Sequence, residues 1–104
     1  MELIKKLDSI ADKISILEIE CYLKIDSLAD DCLKTENFNS KSLSNSLDNI
    51  CSYFNNSLFS LILEYIQIGK NQENALNFYL EKMQTFKKYS HKIFDAVCER
   101  KSAS

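Results

Sequence analysis

A chain of 104 residues, 45% hydrophobic and 27% charged, is sized for one domain with a single core and is too apolar for a disordered segment. Its net charge of −2 and pI near 5.4 argue against a protein that grips nucleic acid through phosphates. Proline is absent and Gly69 is the single glycine, which disfavours turn-rich β and α/β folds and points to long helices.

The first element is a helix over about 2–33. Leu3, Leu7, Ile10, Ile14, Leu17, Cys21, Ile25, Leu28 and Cys32 recur in steps of three and four, the seam of an amphipathic helix. The heptad slips where Lys24 would otherwise point inward. The charges in Met1–Asp8 would interrupt the apolar stretch of a signal peptide, so the sequence reads as cytoplasmic.

Lys34–Ser42 breaks the pattern with Asn, Ser and Thr, whose side chains compete with helical hydrogen bonding and favour turns and caps. A loop is expected here, with Ser40 or Ser42 capping a second helix. That helix spans about 42–68 on Leu43, Leu47, Ile50, Phe54, Leu58, Leu61, Tyr65 and Ile68. Asn55-Asn56-Ser57 are poor helix formers, and a break there would make a fourth helix. In Leu58–Ile68 eight of eleven residues are apolar and Glu64 is the only charge. The run is too short for a membrane span, which needs roughly 20 apolar residues.

Gly69 stands where a left-handed residue commonly closes a helix, and Asn71 where the next is capped. A third helix over about 72–100 follows the seam Leu76, Tyr79, Met83, Phe86, Ser90, Ile93, Val97, then frays into Lys101–Ser104. The expected fold is all-α: an elongated, antiparallel three-helix bundle filling one domain over 1–104. Helices of roughly 27–32 residues at 1.5 Å rise reach about 40–48 Å.

Apolar residues remain once the seams are assigned. At 100° per residue, Ile16, Ile19 and Leu23 lie on the side of the first helix away from its seam, and Phe59, Leu63 and Ile66 lie off the seam of the second. Phe78 and Tyr89 stand off the third. Either a further helix or the loop around Phe38 covers these residues, or they meet another protein or a second copy of the chain.

Residues 1–33 carry a net charge of −4 and residues 70–104 a net charge of +3. Lys87, Lys88, His91 and Lys92, grouped around Tyr89, are the nearest approach to a nucleic-acid signal; a solvated helix face explains them as well. His91 is the only histidine, and Cys21, Cys32, Cys51 and Cys98 lack the paired spacing of a zinc site. Asp8 and Asp12 share a helix face at i, i+4, a common arrangement on solvated helices. No phosphate loop, nucleophile elbow or acid–base constellation occurs, so no cofactor, metal or small-molecule substrate is implied and an enzyme is not expected. The sequence therefore suggests a small protein-binding module: an adaptor, a secretion chaperone, or an immunity or inhibitor protein acting through an apolar helix face. A nucleic-acid-associated regulator using the basic third helix is the alternative.

Overall fold

The computed structural model describes residues 2–69 and 71–103. Three helices form, α1 (Glu2–Lys34), α2 (Ser40–Gly69) and α3 (Gln72–Ala103), with no strand among the described residues. Each helix packs on both others, closest between α1 and α2 and most loosely between α1 and α3. The molecule measures 57 × 21 × 16 Å with a radius of gyration of 16.7 Å; a compact chain of this length would have about 13 Å. The bundle is a rod because its helices are long and the links between them short.

The core runs the length of that rod. Ile10, Ile14, Leu17, Cys21, Ile25 and Ala29 from α1 meet Leu43, Leu47, Phe54, Leu58 and Ile62 from α2 and Ala75, Phe86 and Val97 from α3. Halfway along, Phe54 and Phe86 stack with ring centroids 4.2 Å apart. Tyr22 packs edge-on against Phe86 at 4.9 Å, so one aromatic girdle draws on all three helices. Lys24, where the heptad slips, reaches out to lie 4.6 Å from the centre of the Tyr53 ring.

α2 is continuous through Asn55-Asn56-Ser57: Phe54 and Leu58 on either side are fully buried, and that packing outweighs the weak local propensity. The loop is shorter than expected, residues 35–39. The cap is neither Ser40 nor Ser42 but Asn39, whose side-chain oxygen accepts the backbone N–H groups of Lys41 and Ser42 at 2.9 and 3.2 Å while its carbonyl accepts that of Leu43. Gly69 is not a left-handed terminator; it is helical, and a Cβ there would make ordinary contacts with Leu7 and Tyr65 at 3.6 Å. The residue that follows it, Lys70, lies outside the described residues, as does Ser104. The Asn71 carbonyl accepts the N–H of Ala75 as α3 begins.

α3 does not fray at Lys101. Its helix continues to Ala103, and the Lys101 ammonium donates to the Thr35 carbonyl at 2.6 Å, tying the helix end to the loop. Several seam assignments shift, Ala29 and Ile62 being buried beside the partly buried Leu28 and Leu61. Leu3 is half-exposed because α2 ends beside Leu7 and offers it little cover, and Ala75 is buried where Leu76 was expected, since the small side chain faces the narrow space between the helices.

Candidate protein-binding surface

The helices run up, down and up, so α1 and α3 lie parallel. Their cross-links rise in register: Lys82 to Glu18 at 3.1 Å, the Tyr89 hydroxyl donating to Asp26, then Lys101 to Thr35. The start of α1, the end of α2 and the start of α3 therefore share one end of the rod, and the 35–39 loop occupies the other.

The large exposed apolar side chains lie mainly between the first of these ends and the Tyr22–Phe54–Phe86 girdle, with Leu23 and Tyr53 just beyond it. They are Leu3, Ile4, Ile16, Ile19 and Leu23 on α1, Tyr53, Phe59 and Leu63 on α2, and Phe78 and Leu80 on α3. Beyond Leu23 and Tyr53, from Lys24 to Ser52 and from Phe86 onwards, every described large apolar residue is at least partly buried. Phe38 packs on the core there, so the loop does not reach the stripe that it was a candidate to cover.

Ile16, Ile19 and Leu23 are 55%, 60% and 61% exposed. By helical phase they lie about 155° around α1 from Ile10, Ile14, Leu17 and Cys21, so they face away from the core. Phe59 and Leu63 are 41% and 43% exposed, and the Phe59 ring lies edge-on to Tyr79 of α3 at 5.3 Å. Their surface is thus the α2–α3 side, across the bundle from the α1 stripe. Ile66 departs from expectation: it is half-buried and packs on the core, because its phase turns it toward α3. Tyr89 likewise closes onto the core, edge-on to Tyr22 at 4.9 Å. The six residues first grouped together make two separate surfaces, with Ile66 belonging to neither.

A third surface, which the sequence reading missed, is the groove between α1 and α3. It has a volume of about 510 Å³ and is lined by Ala11, Ile14 and Ser15 of α1 and Ala75 and Phe78 of α3, floored by Ile62 and Tyr65, with the Glu18–Lys82 pair at its edge. Lys82 also lies 5.3 Å from the centre of the Phe78 ring. Small side chains at Ala11, Ser15 and Ala75 were the available signal, but their significance depends on which helices become neighbours.

Lys87, Lys88, His91 and Lys92 are all exposed, and the basic surface they make is interrupted by an acid. They spread over about 140° of α3, Asp95 lies among them, and His91 shares a cleft with Asp48 of α2 and Asp95. No cluster of three or more His, Cys, Asp or Glu side chains placed to hold a metal occurs among the described residues. All four cysteines are free thiols; burial pushes the Cys21 and Cys32 thiols up, which lowers the thiolate fraction available for reaction. Among the described residues no helix is long and apolar enough to cross a membrane.

No family model matches the chain, and comparison with curated proteins and with solved structures finds no match.

Proposed function

We propose that this is a small, non-enzymatic, cytoplasmic protein-binding module of the adaptor, secretion-chaperone or toxin-neutralising type, which engages another protein through the apolar faces of its α2–α3-turn half. The observation that carries this reading is the concentration of large exposed apolar side chains, on all three helices, between the α2–α3 turn and the middle of the rod. Scattered exposed apolar residues are normal on any soluble protein, but contiguous exposed apolar patches such as the Ile16–Ile19–Leu23 stripe mark an interaction surface. Helix-on-helix packing suits the outer stripe of α1, and insertion of a partner side chain suits the α1–α3 groove.

The test is the mass of the protein as it exists in extract of its own cells. The wild type runs well above the 12.0 kDa of one chain, while Ile19→Asp and Leu63→Asp shift it toward that value with helical circular dichroism unchanged. A wild type that runs as a lone single chain contradicts the reading. So do variants that simply unfold, since both residues would then belong to the core.

A further inference from the structure

On the protein-binding reading above, we propose that the outer face of α1 docks a cationic amphipathic helix of its partner, and that a second copy of this chain is not the occupant. The charges around the stripe select the partner. Asp8, Asp12, Ile16, Ile19, Leu23, Asp26 and Asp30 follow one another in steps of three and four, so they form a second seam on α1, with two acids before the apolar centre and two after. All four acids lie within about 55° of the stripe's centre line and are exposed. Asp8, Asp12 and Asp30 make no ion pair among the described residues; Asp26 accepts the neutral Tyr89 hydroxyl, and Asp26 and Asp30 border a cleft on the α3 side that Arg100 also lines without pairing to either. Between positions 8 and 30 the lysines stand about 85° or more off the line: Lys13 to one side, and Lys24 over the Tyr53 ring. Lys5, one turn before Asp8, closes the line.

The same spacing turns a second copy away. The seam is nearly symmetric about Ile19, so laying two copies face to face and antiparallel brings Asp12 opposite the copy's Asp26, and Asp8 opposite its Asp30. A parallel arrangement sets each acid beside its own counterpart. Like charges meet either way, and a face built so discriminates against itself. A helix with two turns of Ile, Leu or Val flanked on each side by Lys or Arg spaced four apart meets apolar with apolar and acid with base, over about 33 Å from Asp8 to Asp30.

Two synthetic peptides of about 23 residues, enough to span that length, test this on the full chain. They share one Ile/Leu face and differ in carrying Lys or Glu at the four flanking positions. The Lys peptide binds about tenfold or more tighter than the Glu peptide at low salt, as four rim charge pairs allow, and salt narrows the gap. Ile19→Ser weakens binding of the Lys peptide, and the double variant Asp12→Lys, Asp30→Lys reverses the preference; circular dichroism verifies that both variants keep their helices. Equal binding of the two peptides, binding of neither, or a preference that either variant leaves unchanged overturns the cationic-helix proposal. Those results leave the protein-binding reading standing, which fails separately if the protein in its own extract has the mass of a single chain.

Discussion

The two halves of the rod share a core and differ in their surface. Around the 35–39 loop every described large apolar side chain is covered, and the exposed positions are Asp, Lys, Glu, Ser and Asn with few exceptions. Around the α2–α3 turn the core is equally tight, with Ile10, Leu58 and Ile62 at most 2% exposed, yet eight large apolar residues remain at the surface, and Leu23 and Tyr53 add two more just past the girdle. Exposure there is no sign of a poorly packed end. It follows from side chains that the folding of this chain does not require, and such residues reduce solubility unless something covers them.

Breaking the shared core should have the largest effect. Phe86→Ala removes the ring that stacks on Phe54 and meets Tyr22, and should cost about 3–5 kcal/mol by chemical denaturation, with both halves unfolding in one transition. Two independent transitions would show that the halves are separate units. Next comes a contrast within the apolar half. Leu58→Asp places a charge at a site that is 0% exposed and should cost more than about 3 kcal/mol, whereas Leu63→Asp, five residues on, should change stability by less than about 0.5 kcal/mol.

Smaller effects probe the loop half. Asn39→Ala removes the side-chain acceptor for two backbone N–H groups and should cost about 1 kcal/mol; an unchanged midpoint would mean that Ser40 or Ser42 caps equally well. The smallest is a pH effect near the girdle. Donation to Asp26, aided by burial, pushes the Tyr89 hydroxyl up from its usual value near 10 to about 12. The folded state thus holds its proton more tightly than the unfolded chain. The stabilisation is complete below pH 10 and is lost as pH climbs from 10 toward 12. Tyr89→Phe should cost roughly 0.5–1.5 kcal/mol at pH 8 and flatten this residue's share of the alkaline loss.

Much of the fold was legible because steps of three and four name both the helix and its buried side. The same arithmetic put Ile16, Ile19 and Leu23 outward, since their phase relative to Ile14 and Cys21 depends only on helical geometry. It could not say how the helices are arranged about one another, and that arrangement separates Phe59 and Leu63 from the α1 stripe, turns Ile66 inward and creates the groove beside Phe78. The cap was misjudged for a different reason. Asn39, Ser40 and Ser42 all have side chains able to cap, and the choice among them is made by the course of the loop backbone, which sets the Asn39 oxygen against the N–H groups of Lys41 and Ser42. Buried Ala29 and Ala75 gave no signal, because a small apolar residue suits a core and a surface alike.

The most direct test compares the halves in the native setting. A photo-crosslinking residue is placed at position 19 in the apolar half or at position 88 in the loop half, and the protein is irradiated in extract of its own cells. The account predicts a discrete, saturable crosslink to one partner from position 19 that is absent from position 88. Crosslinking that is equal from both positions, or absent from position 19, would contradict it.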